Sequence, residues 1–343
     1  MKAAVLYGKR DIRIEDRPEP VAQGSEVKIR VRAVGVCGSD VHYYTEMAIG
    51  DQIIKKPQSV GHEFSGEVVA VGEVVKSVKV GQRVAIEPGL PCHQCRQCQE
   101  GRPNCCPNVR FYGTPPIEGS LQEFVLADQE QCTEIPAGMS FAEAAMLEPL
   151  QVGVHAYNLV PCRPGAWVAI VGSGSIGLSC LAMVHAAGAT RIIMADKRGY
   201  RLAIARKLGA THVVDVSQED PQAAVKKLTD GLGADVVYEA TNGVDGLAQA
   251  LSLAAIGGRV AAIGIPPVDQ IVLAASAPRR KQLNVQFIRR SAHSVRQAME
   301  LVATGKIDIK PWITHRFPLA RVAEAFELVD GYRDGVLKAV IEM

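Results

Sequence analysis

The segment Gly172-Ser-Gly174-Ser-Ile176-Gly177 follows the apolar run from Trp167 to Val171 and opens a helical pattern that continues to about Ala187. No other feature constrains the chain as much. Its glycines permit a tight turn, let backbone approach a pyrophosphate and bring helix close to strand, while the helix N-terminus offers free N–H groups to phosphates. Around it, apolar runs at 168–171, 192–194, 212–214, 235–238, 259–263 and 284–287 alternate with helical segments. Six strands in that spacing predict an α/β, doubly wound parallel sheet. Asp196 stands at the end of the second run, 19 residues after Gly177, where a carboxylate would accept ribose hydroxyls. It would also repel a 2′-phosphate, which favours NAD. Lys197, Arg198 and Arg201 would offset that repulsion and leave NADP as an alternative, or simply start a solvated helix. The plain alternative is a glycine turn that binds nothing.

The chain has 343 residues, enough for two domains. Residues 1 to about 110 carry β-type runs at 27–36 and 65–71, punctuated by glycine at 61, 66, 72 and 81, and predict a barrel-like β domain. After about residue 288 the sheet pattern stops. A helix is expected over 294–304, then an amphipathic stretch over 319–329 and a strand over 336–341 that returns to the first domain. The expected division is 1–150 with 288–343 for the β-rich domain and 151–287 for the parallel-sheet domain.

Nine cysteines are present, and Cys92, Cys95, Cys98 and Cys106 crowd into one lobe near residues 88–110, with Cys105 beside the last. In a reducing compartment such clustering reads as metal ligation rather than disulfides. Four thiolates satisfy a tetrahedral zinc and leave no open position, so this would be a structural site. On spacing alone Cys105 could replace Cys106. A second set is scattered: Cys37 before Ser39, Asp40, His42 and Tyr43, then Gly61-His62-Glu63, then Glu148-Pro149-Leu150. A thiolate, an imidazole and a carboxylate with one position open describe a catalytic zinc. Taken singly, each has a bland reading: a small core cysteine, a hydrogen-bonded turn histidine, a solvated glutamate.

Lys plus Arg number 38 against 36 for Asp plus Glu, and no basic block interleaves with aromatics, so no nucleic-acid groove is expected. Charge follows Met1 too closely for a secretory signal, and the cytoplasm is the expected address. The uncharged stretch 165–190 is broken by the glycine turn, so no membrane span is expected.

These motifs together resemble the zinc-containing medium-chain dehydrogenase/reductase family, over essentially the whole chain. Cys37 to Tyr43, Thr114-Pro115-Pro116, Glu148-Pro149-Leu150 and Thr314-His315-Arg316-Phe317-Pro318 are similar to its polyol (sorbitol, xylitol) dehydrogenase branch. The resemblance implies a GroES-like catalytic domain joined to a Rossmann domain, two zinc ions per chain, NAD, and oxidation of a secondary alcohol of a polyol to a ketose. It makes Cys37, His62 and Glu63 the ligands of the catalytic zinc, with Glu148 near the metal directly or through water. Ser39 and His42 would form a proton relay, and Tyr43 and Arg290 would meet the polyol. Ile176, Arg201, Ile263, Gly264, Ile265, Ile288 and Arg290 would join the glycines and Asp196 around the cofactor. Where the branch reads Phe-Arg-Tyr, this chain has Arg289-Arg290-Ser291, so one aromatic wall is missing. A 2,3-butanediol-type diol dehydrogenase and L-threonine dehydrogenase are the neighbouring substrate readings. An NAD(P)H-binding, crystallin-like protein is the non-enzyme reading. Homo-oligomerisation, as a tetramer or dimer, follows from the resemblance as well.

Overall fold

The computed structural model describes every residue from Met1 to Met343, and the chain divides into two compact units. The first comprises Met1–Glu148 and Ile309–Met343, the second Pro149–Asp308.

The first unit is built on a seven-stranded sheet. Its long central strand Glu26–Gly35 alternates, turning Val27, Ile29 and Val31 into the core, as a strand with one buried face should. Antiparallel to it lie Glu63–Val71 on one side and Lys338–Glu342 on the other, with Phe124–Asp128 also pairing along it. The closing strand has thus returned to the first unit, where it pairs in parallel with Ile313–Pro318. Register brings Gly35 opposite Glu63. A methyl group at Gly35 would fall 2.2 Å from Glu63 Oε2, so this glycine leaves the space that the carboxylate fills.

The second unit is the expected parallel sheet. Its six strands run in the order His212–Asp215, Arg191–Asp196, Trp167–Val171, Ala234–Glu239, Ala254–Ala262, Asn284–Phe287. Counted along the sequence this is 3-2-1-4-5-6, the doubly wound order whose switch point lies between the first and fourth strands. Val168, Ala169, Ile170 and Val171 are all buried, because helices cover both faces of a parallel sheet.

One expected boundary moves. Residues 288–308 pack with the parallel sheet rather than with the β-rich unit, whose C-terminal segment starts at Ile309. The helix Val295–Ala303 is anchored there: Ala298 is fully buried, and Asn158 Nδ2 donates to Gln297 Oε1 at 3.1 Å. An amphipathic helix states that one face is buried but not against which partner.

Candidate active site

In the sulfur lobe, the four Sγ atoms of Cys92, Cys95, Cys98 and Cys106 lie within 4.8 Å of one another. Three of the separations are 3.4 Å (Cys95–Cys98), 3.5 Å (Cys92–Cys106) and 3.8 Å (Cys95–Cys106). A tetrahedron with zinc–sulfur bonds of about 2.3 Å has edges of about 3.8 Å, whereas a disulfide needs about 2.0 Å. The set fits a zinc ion. Cys106 is buried within it, while Cys105 is exposed and stands outside it. Local backbone prepares one of the ligands. The N–H groups of Gln94 and Cys95 point at Cys92 and pull its thiol down to about 6, near the thiolate form that a metal requires.

The scattered set also converges. Cys37, His62 and Glu63 bring one ligand atom each within 4.8 Å of the others. Cys37 occupies the N-cap of the helix Gly38–Glu46, while Glu63 begins the strand Glu63–Val71 and His62 immediately precedes it. Burial works against a charge on His62, but Asp40 and then Cys37 outweigh it and raise the imidazole well above its usual range. Glu148, in the first turn of Leu147–Leu159, is pushed up to about 8, mainly by desolvation; Glu63 and Glu87 add repulsion, while His62 and Lys338 oppose it. A thiolate, an imidazole and a carboxylate so close together suit Zn²⁺, whose charge would offset the crowding of anions. Ser39 and His42 sit one turn apart on the helix Gly38–Glu46, both half-buried. Tyr43 is buried and donates its hydroxyl to Gln52 Oε1 at 3.3 Å.

In the second unit, Gly172 adopts φ +96° and the helix Ser175–Ala186 starts at Gly174 without a side-chain cap, which leaves its first N–H groups available to an anion. A Cβ at Gly177 would meet the Gly172 carbonyl oxygen at 1.8 Å, so helix and strand meet here only through glycine. Asp196 Oδ2 accepts the Ser173 N–H at 2.6 Å and Oδ1 accepts the Arg198 N–H at 2.8 Å. Each oxygen keeps a further lone pair for a ribose hydroxyl. Arg201 overlies the turn, its Nη1 3.7 Å from where a Gly174 Cβ would stand. Ile263 and Gly264 follow the strand Ala254–Ala262, and both donate backbone N–H bonds to the Glu239 carbonyl. Ile288 and Arg290 follow the last strand, and Arg290 takes a left-handed φ of +52°. Tyr43 and Arg290 belong to different units.

Residues 23–137 match the family described as Alcohol dehydrogenase GroES-like domain, and residues 175–304 match the one described as Zinc-binding dehydrogenase. A sorbitol dehydrogenase of Bacillus subtilis is 38% identical over 341 residues, covering 99% of this chain and 97% of that one. This chain belongs to the zinc-binding dehydrogenase family. Among solved structures it resembles an Escherichia coli oxidoreductase of unknown specificity, with TM-score 0.94 and 34% identity over 99% of this chain and 98% of that one. It also resembles an E. coli alcohol dehydrogenase complexed with NADH, with TM-score 0.93 and 26% identity over 100% and 99% of the two chains.

This zinc-binding dehydrogenase carries two site residues that sequence reasoning passed over. Lys338 is 2% exposed, and its Nζ donates to both Glu63 oxygens, at 2.7 and 2.8 Å, and to the Val36 carbonyl at 3.2 Å. Burial opposes its charge, yet Glu63 and Cys37 outweigh that and hold it above the usual lysine range. Its positive charge offsets the acidic groups gathered around it, Glu63 first and then Cys37. Asp40 ties the site together: Oδ2 accepts the Cys37 N–H at 3.1 Å and Oδ1 the Gly61 N–H at 3.0 Å, with His62 Nδ1 3.4 Å from Oδ1. It fixes the imidazole orientation from behind, as the outer partners of metal-bound histidines do. Signals for both were present. A lysine inside an apolar closing strand demands a buried anion, and an acid three residues into a helix is half of a capping box.

Proposed function

We propose that this chain oxidises a secondary alcohol of a polyol, of the sorbitol or xylitol kind, to the ketose with NAD as hydride acceptor. The observation that carries this reading is the juxtaposition of Cys37, His62 and Glu63 in a chain 38% identical to a sorbitol dehydrogenase over nearly its whole length. A zinc ion at those residues would supply Lewis acidity, and NAD at the glycine turn would take the hydride. The remaining work falls to side chains. Ser39 accepts the substrate hydroxyl proton and passes it to His42, one turn along the same helix. Glu148 stands beside the donor set and yields to the substrate oxygen. Tyr43 is the first unit's candidate for another substrate hydroxyl, and the Arg289-Arg290-Ser291 sequence puts polar residues where the branch has aromatic ones. Asp196 holds the adenosine ribose and disfavours a 2′-phosphate.

The four-sulfur lobe holds a second, structural zinc. We place the protein in the cytoplasm, supported by its nine unpaired cysteines, and as a homo-oligomer, a tetramer before a dimer. No helix is long and apolar enough to cross a membrane.

A screen of NAD⁺ reduction over four- to six-carbon polyols, 2,3-butanediol and threonine tests the substrate. The highest kcat/KM is expected on sorbitol or xylitol. A clear optimum on the diol or the amino acid would overturn the polyol assignment, and absence of turnover on all of them, with zinc present, would favour a binding role.

A further inference from the structure

Glu239 ends the fourth strand of the parallel sheet and is buried. Its carboxylate accepts from three donors: the Thr241 N–H at 2.8 Å, the Thr241 hydroxyl at 2.6 Å and the Gly264 N–H at 3.0 Å. Thr241 lies in the loop after the fourth strand, and Gly264 in the loop after the fifth. One side chain therefore ties together the ends of two adjacent strands. The space around it admits nothing more. A Cβ at Gly264 would stand 1.9 Å from the Thr241 carbonyl oxygen and 2.7 Å from Glu239 Oε1, and one at Gly246 would stand 2.2 Å from Thr241 Oγ1. On its other side Thr241 packs toward the glycine turn, its Cγ2 3.0 Å from where a Gly172 Cβ would be.

A dinucleotide lies across the C-terminal edge of such a sheet, with one mononucleotide over each half. Gly172 and Asp196 end the first two strands of one half. Glu239 and Gly264 mark the corresponding ends in the other half, which falls to the nicotinamide riboside. We propose that Glu239 is a positioning residue for the nicotinamide half-site: its carboxylate sets the distance between the Thr241 and Gly264 loops before the cofactor arrives. This rests on the NAD reading above. A carboxylate suits the task because it only accepts, whereas an amide there would turn an N–H against at least one donor.

Glu239→Gln keeps the shape and changes only that pattern. In zinc-loaded protein, NADH affinity should fall about tenfold while 5′-AMP, which carries the adenosine half alone, binds within about twofold of wild type. Thr241→Val, which removes the hydroxyl link without altering bulk, should shift NADH in the same direction, again sparing AMP. Should Glu239→Gln fail to fold, Thr241→Val decides alone. Parallel loss of NADH and AMP would reduce Glu239 to a general structural role, and unchanged NADH affinity in both folded variants would end the proposal. Wild-type protein that binds AMP but not NADH would defeat the NAD reading itself, before any variant is made.

Discussion

The ion pair between Lys338 and Glu63 is nearly solvent-free, with side-chain exposures of 2% and 1%. Removing one partner of such a pair strands the other charge in a medium that cannot solvate it, at about 3–5 kcal/mol. Lys338→Met should therefore destabilise the metal-free protein by about that much, and zinc should recover part of the loss because the metal supplies the missing positive charge. Denaturant unfolding with and without zinc measures this; an equal loss in both states would mean that Lys338 and the metal do not share Glu63. Ser39 is a second residue-scale test. Ser39→Ala should lower kcat and kcat/KM together, on the order of 10²-fold, with zinc content and NAD⁺ affinity near wild type. If the variant instead loses zinc, the hydroxyl serves only to position the Cys37 loop. For Asp196→Ala the expected outcome is a narrower preference for NAD⁺ over NADP⁺, since the ribose acceptor is lost and the repulsion of a 2′-phosphate is relieved. A wild type with equal kcat/KM for both cofactors would show that Asp196 does not select.

At the scale of elements, the junction between Trp167–Val171 and Ser175–Ala186 has no room for a side chain at Gly177, where a Cβ would stand 1.8 Å from a carbonyl oxygen. Gly177→Ala must displace the helix N-terminus, so its N–H groups no longer converge on a phosphate. Both AMP and NADH should weaken on calorimetric titration, in contrast to the selective loss expected from Glu239→Gln; retention of wild-type AMP affinity would show that the turn is not the phosphate cradle. The same elements show what can be read locally. Strand, turn and helix lie within about twenty residues, and each shows as a short contiguous run: apolar from Trp167 to Val171, glycine-rich from Gly172 to Gly177, then uncharged along the helix. The sulfur lobe was legible for the same reason, its four cysteines falling in one short segment. Spacing left Cys105 and Cys106 equivalent. Only the folded loop distinguishes them, by burying one thiol in the cluster and exposing the other.

Across the whole molecule, the two metal positions differ in how they are closed. Four sulfurs would complete one coordination sphere, whereas a zinc held by Cys37, His62 and Glu63 would keep a position open for exchange. Mild chelation should therefore remove one zinc per chain and abolish activity while the fold persists, and the second zinc should leave only as structure is lost. Metal analysis alongside circular dichroism follows both; a single zinc in the active chain would refute the structural site. By itself the sequence determined the parallel sheet, its glycine turn, the strand-end Asp196 and the sulfur lobe, because each depends on residues close together in the chain. Only the tertiary structure decided that residues 288–308 join the parallel-sheet unit; that Cys37, His62 and Glu63 meet was implied by the family resemblance but not by their spacing, and the folded chain brings them together. It alone paired Glu63 with Lys338, 275 residues away. Such choices depend on which buried surface an amphipathic segment covers and which distant charge a buried group must find, and neither leaves a period in the sequence.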